Sequence, residues 1–186
     1  MDGLARSVKG EAHPYLDLAR RAVRLTALGQ DPFRHLDPRE YNATTEMLIE
    51  RGCFVSIRMA STGELRGCIG TIRPVRKSLW EEIVANAAAA ASEDPRFFPL
   101  GPDEAEECRV SVDVLDEPCP VGDLSELDPL LFGVIVEKEG RKGVLLPDLD
   151  GVDTVEQQLS IAMRKAGIGS SDGVRIFRFT VRRFSE

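Results

Sequence analysis

Histidine is nearly missing from this sequence: His13 and His35 are the two present in 186 residues. A thiol or hydroxyl nucleophile normally works with a neighbouring base, most often histidine. Both histidines lie in polar N-terminal surroundings, so a Cys-His dyad would need one of them to swing over a distant cleft. Cysteine is scarce as well. Cys53, Cys68, Cys108 and Cys119 form no CxxC pair and have no histidine close in sequence, which excludes the usual zinc and iron–sulfur spacings. No metal or other cofactor is expected. No apolar run approaches the ~18–20 residues of a membrane span. The first residues, with Asp2, Arg6, Lys9 and Glu11, lack the apolar stretch of a signal peptide. The expected location is the cytoplasm, with no membrane partner. Positive charge is outweighed too: 24 Lys and Arg against 31 Asp and Glu give a net charge of −7. That balance argues against nonspecific nucleic-acid binding, which depends on neutralising phosphates. The C-terminal arginines 175, 178, 182 and 183 alternate with apolar residues and read as the solvated face of a strand.

What is present suffices for a well-packed core, at 42% hydrophobic residues, with no low-complexity segment and no long linker. Apolar residues at helical spacing predict a helix from about Pro14 to Leu28, and a second short helix is expected over Pro38 to Glu50 after an Asp37 cap. Phe54 to Met59, the turn Ser61-Thr62-Gly63, and Leu65 to Ile72 read as a hairpin. Leu79 to Ser92 is a strong helix, opened by Ser78 and Glu81 and carrying the run Ala87 to Ala91. Its small side chains let another backbone come close, so it should lie flat on a sheet. Arg109 to Leu115 alternates as a strand, and Phe132 to Glu137 with Gly143 to Leu146 form a second hairpin, its Gly140 and Gly143 read as turn glycines. A helix capped by Thr154 and Gln157 and stopped by Gly167 precedes a last strand from Val174 to Phe184. Hairpins imply antiparallel pairing. The expected class is α+β: mostly antiparallel sheet flanked by helices, in two closely packed subdomains of one 186-residue domain, with the first ~13 residues loosely ordered.

The chemistry-bearing centre is Leu65-Arg66-Gly67-Cys68-Ile69-Gly70. Two glycines bracketing a cysteine are costly in a strand and mark a bulge, or a place where a ligand or another backbone comes close. In a regular strand Arg66, Cys68 and Gly70 share one face. Arg66 beside Cys68 makes this pair the candidate catalytic group, while Cys53 and Cys108 read as small buried hydrophobes. Asp94-Pro95-Arg96-Phe97-Phe98-Pro99 is a second unusual segment. Arg96 there could grip a carboxylate or phosphate, and Asp94, like Asp113, is a polar partner without a local signature. Asp94 and Arg96 join Leu65, Gly67, Ile69 and Gly70 as candidate binding residues. The competing structural account makes Asp94 a turn cap and the two phenylalanines staples to the core.

LRGCIGTI, followed by an Ala-rich helix and DPRFFP, then VSVDVL, GRKGVLLPDL, KAGI and RFTV, resembles the AMMECR family along nearly the whole chain from about residue 14. Microbial members of that family are called AmmeMemoRadiSam system protein A. The resemblance implies a two-subdomain α+β fold, with residues 65–70 as the signature hexapeptide. It also implies a Memo-like protein and a radical-SAM protein as partners in a shared pathway, and it brings no established activity. LLPDL departs from a more usual LLPQV, so no role passes to Asp148. Three functions stay open: a cysteine-dependent enzyme component acting on a small molecule or protein, a non-catalytic interaction or substrate-presenting module, and a nucleic-acid-associated regulator.

Overall fold

The computed structural model describes residues 8–9, 13–39 and 43–186. Its elements run β1 (Val8–Lys9), α1 (Pro14–Ala27), α2 (Pro32–His35), β2 (Cys53–Met59), β3 (Leu65–Gly70), α3 (Leu79–Ser92), α4 (Pro102–Glu106) and β4 (Cys108–Leu115). There follow β5 (Cys119–Pro120), β6 (Gly133–Lys138), β7 (Arg141–Leu145), α5 (Val155–Lys165), β8 (Arg175–Phe179) and β9 (Val181–Ser185). The chain is α+β and divides into two compact units, one of Arg6–Val114 with Arg182–Glu186 and one built mainly on Leu115–Val181.

The first unit carries a five-stranded sheet in the order β1-β9-β4-β2-β3, with β2 antiparallel to both β3 and β4. Alternation assigns its faces. Cys53, Val55 and Ile57 of β2 and Val110, Val112 and Val114 of β4 are all buried. They pack with Leu18, Ala19 and Ala22 of α1 and with Ile83, Val84 and Ala87 of α3 in one apolar cluster. Burying each large aliphatic side chain contributes roughly 1.5–3 kcal/mol. Helix α3 begins where Ser78 Oγ accepts the Glu81 N–H. His13 caps α1, its Nδ1 accepting the Tyr15 N–H at 3.3 Å while its ring stacks on Phe184.

The second unit holds an antiparallel sheet in the order β5-β8-β6-β7. Val134, Val136 and Leu145 pack with Ala162 of α5 and with Val152 and Ile168. The expected Thr154–Gln157 capping box opens α5, and Gly167 follows its end at φ +66°. Gly140 is a turn glycine at φ +77°. Gly143 is not: it lies within β7, where a Cβ would run into the Ala162 carbonyl of α5 and leave 2.9 Å to its carbon. Asp148, the departure from LLPQV, adopts φ +53°, a conformation that Asp tolerates better than most residues.

Two further sequence expectations need correction. The helix over Pro38 to Glu50 is absent from the described part of that stretch, residues 40–42 lying outside it. Asp37 caps a tight turn instead, accepting the Arg39 N–H at 2.8 Å and pairing with its guanidinium. A short 3-10 turn, Thr45–Leu48, follows. The helical turn lies earlier, in α2, where Asp31 accepts the Phe33 N–H and Pro32 opens the helix. Helix α4 is a further addition, again opened by proline. The last strand breaks at Thr180, because β8 pairs in one sheet and β9 in the other. The expectation about the first ~13 residues falls, apart from Val8, Lys9 and His13, outside the described residues.

Candidate functional site

The hexapeptide is β3, an edge strand with β2 on one side. Cys68 stands opposite Ser56, and Ser56 in turn opposite Ser111 of β4, so the three line up across the sheet. Ser56 Oγ donates to the Cys68 Sγ at 3.2 Å. The thiol is half-buried, on the face turned away from the apolar cluster. Gly70, Phe54 and Asp113 make the next row, and Asp113 pairs with Arg183 of β9 at 2.8 Å.

The regular alternation expected for Arg66, Cys68 and Gly70 is interrupted. Register shifts between Ile57, opposite Gly67, and Arg58, opposite Leu65, so the strand bulges at Arg66. The Arg66 guanidinium makes a two-pronged ion pair with Glu104 of α4 and lies over the Phe97 ring. That pairing holds the Glu104 carboxyl below its ordinary range. The arginine therefore ties β3 to α4, and its charge is already matched by a carboxylate.

Each glycine has a separate cause. A Cβ on Gly67 would meet the Ala90 carbonyl oxygen, because α3 presses its alanine face onto the strand. A Cβ on Gly70 would collide with the Phe54 ring and sit 2.6 Å from the Cys53 carbonyl oxygen. Ile69 packs against the apolar cluster, and Leu65 is half-buried. The sequence pattern pointed to a bulge or a close backbone approach, and β3 contains both.

Asp94 and Arg96 are joined to the same strand. Asp94 Oδ2 accepts the Cys68 N–H at 2.9 Å, and the Arg96 guanidinium donates to the Cys68 carbonyl at 3.3 Å. Asp94 also accepts the Arg96 N–H and pairs with its guanidinium at 2.7 Å. The loop thus supplies a carboxylate and a guanidinium where a neighbouring strand would supply a C=O and an N–H. The unpaired edge at Cys68 is closed by side chains. The Arg96 charge and the N–H donors hold the buried Asp94 carboxyl far below the usual range. Phe97 lies under both Arg66 and Arg96. Phe98 is 89% exposed, so it does not staple the loop to the core.

Two residues of this region carry no sequence motif. Glu82, 1% exposed, accepts the N–H groups of Val75 and Arg76 and the Thr71 hydroxyl, holding the loop that leaves β3. Asn86 donates to the Cys53 carbonyl at 3.0 Å. Glu82 reads in the sequence as a complement to the helix dipole. The available signal was its spacing of four from Asn86 inside an otherwise apolar helix, which puts both polar groups on one buried face.

The other candidates are dispersed. Burial pushes the Cys53 thiol up to about 12 and also raises that of Cys108, as expected of buried hydrophobes. Cys119 is exposed. Burial, then the Arg182 charge, lowers the His13 imidazole, and His35 ends α2. Arg175, Arg178, Arg182 and Arg183 pair with Glu137, Glu126, Glu46 and Asp113, so the C-terminal cations are matched one by one. Among the described residues no helix is long and apolar enough to cross a membrane.

The AMMECR1 family model matches residues 16–184, a span that contains the hexapeptide, the Ala-rich helix and the clamping loop. A Thermotoga maritima protein is 48% identical over 178 residues, covering 92% of this chain and 97% of its own length. A longer Clostridium acetobutylicum protein is 45% identical over 181 residues, which is 97% of this chain but 37% of that protein. The crystal structure of an uncharacterized protein from Pyrococcus horikoshii superposes with a TM-score of 0.81 at 27% identity, covering 92% of this chain and 89% of that one. With a family match of this extent and relatives this similar, the chain belongs to the AMMECR1 family.

Proposed function

We propose that this chain is a cytosolic component of a multi-protein system, presenting the strand that carries Cys68 to Memo-like and radical-SAM partners or to the substrate they share. The observation that carries this reading is the double hold on the Cys68 peptide group by Asp94 and Arg96. A strand fixed from outside by a buried carboxylate, and from beneath by α3, offers its half-buried outer side chains at a set position. Beside it the same loop leaves Phe98 in solvent, an aromatic anchor of the type that dominates protein interfaces. The longer Clostridium relative supports the reading, since there a domain of this kind is part of a larger chain.

The test is direct binding to the two partners, measured by calorimetry. Cys68→Ser should bind as the wild type does, and Phe98→Asp should weaken binding at least about tenfold, as loss of an anchor does. Absence of binding by the wild type to either partner overturns the proposal. A second reading is favoured by the Ser56 hydroxyl directed at Cys68 Sγ: the thiol itself reacts, in an enzyme component. Under that reading Cys68→Ser binds normally and silences the reaction that the assembled system performs.

A further inference from the structure

The loop that leaves β3, Arg73-Pro74-Val75-Arg76-Lys77, is exposed along its whole length, yet its backbone is held in place. Buried Glu82 of α3 accepts the N–H groups of Val75 and Arg76 from beneath, together with the Thr71 hydroxyl. The side chains of the loop stay in solvent on a fixed support. Two features set it apart from the rest of the surface. The first is charge. Most arginines of the chain are paired, Arg34 with Asp31 and Arg39 with Asp37 among them. Arg73, Arg76 and Lys77 form no ion pair among the described residues. Even with half-buried Glu81 of the same turn set against one of them, two cations are left over. The second feature is apolar surface. Val75, in the middle of the loop, is 76% exposed. Arg76 lies over the ring of Phe33, itself 41% exposed, and exposed Ile49 is tied to the start of α3, its carbonyl accepting the Leu79 N–H. Scattered singly, such residues are ordinary; gathered round one helix start and flanked by arginines, they have the make-up of an interface centre.

We propose that this loop is a docking surface for an acidic segment of a protein partner. Val75 and Phe33 meet an apolar side chain of that segment, and Arg73, Arg76 and Lys77 meet the carboxylates around it. Magnitudes favour a protein over other polyanions. Recognition of an anionic membrane takes roughly four to eight clustered cations, and nucleic-acid binders commonly neutralise about six to ten phosphates. Three cations on a chain of net charge −7 are too few for either, whereas a few charge pairs around an apolar centre steer and orient a protein contact. Resting on the function proposed above, this surface is where the partner is caught, beside the end of the Cys68 strand.

The Memo-like and radical-SAM proteins of the same organism are the probes, and their binding to the full chain is followed by biolayer interferometry. The loop triple variant, Arg73→Glu with Arg76→Glu and Lys77→Glu, should slow association at least about tenfold, and about 300 mM salt should weaken the wild type several-fold. Val75→Asp should instead speed dissociation about tenfold. A control with the same change in net charge, Arg109→Glu with Arg164→Glu and Lys165→Glu, alters exposed residues elsewhere and should bind as the wild type does. Circular dichroism and melting confirm that each variant is folded. If the wild type binds neither protein, this proposal and the function proposed above are both overturned. If it binds and the loop triple variant binds equally well, or the control loses as much as the loop variant, this proposal alone is overturned. Loss in the loop variant but not in Phe98→Asp supports the loop and removes Phe98 as an anchor. Tighter binding to vesicles with about 30% phosphatidylserine, or to an RNA of about 20 nucleotides, that the loop triple variant abolishes would overturn the choice of a protein partner.

Discussion

Replacing Gly67 by alanine adds one methyl group at the point where α3 touches β3. That methyl would meet the Ala90 carbonyl oxygen well inside van der Waals contact and sit 3.1 Å from the carbonyl carbon. Ordinary carbon–carbon separation begins near ~3.5 Å, so the carbon alone must retreat by roughly half an ångström, and the oxygen by more. The obstacle is helix backbone, which no rotamer change can move aside. Helix α3 must therefore lift from a sheet against which Ile83, Val84, Ala87 and Ala90 are buried. Overpacking of this kind costs about 1–3 kcal/mol, and a lifted helix loses dispersion contacts along its length, so we expect the upper end, ~3 kcal/mol. For a chain of this size that is a fall in melting temperature of about 6–12 °C. Differential scanning calorimetry measures it. Gly169→Ala is the control, since a Cβ there meets nothing within 4 Å and the backbone is not left-handed; it should stay within ~0.5 kcal/mol of the wild type. A Gly67→Ala protein melting within 2 °C of the wild type, on the order of the scatter among neutral surface variants, would refute the close-approach account. The same logic explains why valine at Gly67 or Gly70 cannot test docking: either variant is disrupted in the fold first.

Other outcomes follow from the same geometry. Native-state alkylation mapped by mass spectrometry should label exposed Cys119 first and half-buried Cys68 next, with Cys53 and Cys108 reacting only on unfolding; Cys53 reacting as fast as Cys119 would contradict its burial. Arg66→Lys keeps the charge but loses the fork to Glu104 and the contact over Phe97, so it should cost about 1 kcal/mol in a urea titration, and a neutral result would show that the pair is ornamental. Asp94→Asn should cost roughly 1.5–3 kcal/mol at neutral pH, toward the lower end because Arg96 is half exposed, and should speed hydrogen exchange at the Cys68 amide. The folded state depresses the Asp94 carboxyl, so its contribution is fully present above the unfolded value of ~3.9 and is lost as pH falls below it. The gap between Asp94→Asn and the wild type should therefore narrow in acid, and a gap independent of pH would remove the carboxylate from the account.

Local signals carried much of the fold. Pro14, Ser78, Thr154 with Gln157, and Gly167 mark helix ends where capping chemistry says they should. Alternation located β2 and β4 because one face of each is packed and the other is polar. The failures share a physical cause. Asp37 and Asp31 both precede proline, and both cap something, but a capping side chain looks the same whether a helix or a tight turn follows. The run Val174 to Phe184 keeps a strand pattern through Thr180, because alternation records burial and not which sheet provides it. Gly143 looked like a turn residue from its neighbours Gly140 to Lys142, when its reason lies nineteen residues on, at Ala162. Sequence proximity suggested the charge relation between Arg66 and Cys68 as well, and a bulge redirected the arginine to Glu104.

The hexapeptide, the Ala-rich helix and the DPRFFP loop turn out to be parts of a single arrangement. Gly67 admits α3, Gly70 admits the Phe54 ring, and Arg66 anchors α4. Asp94 and Arg96 close the strand edge, while Glu82 pins the exit loop. Most of the polar side chains that make these motifs recognisable are thus committed to contacts within the protein. A recognisable residue pattern here measures how precisely a strand is held, and only indirectly what it meets. The side chains of the region with the most left to offer a partner are the Cys68 thiol, which meets the Ser56 hydroxyl and the Arg96 guanidinium, and the exposed ring of Phe98. If positioning those two groups is the purpose, a variant that frees the edge without removing either should weaken partner binding. Asp94→Asn is that variant, and its effect on partner binding should exceed that of Cys68→Ser. Equal or smaller loss would mean that the clamp serves stability alone and that the functional surface lies elsewhere.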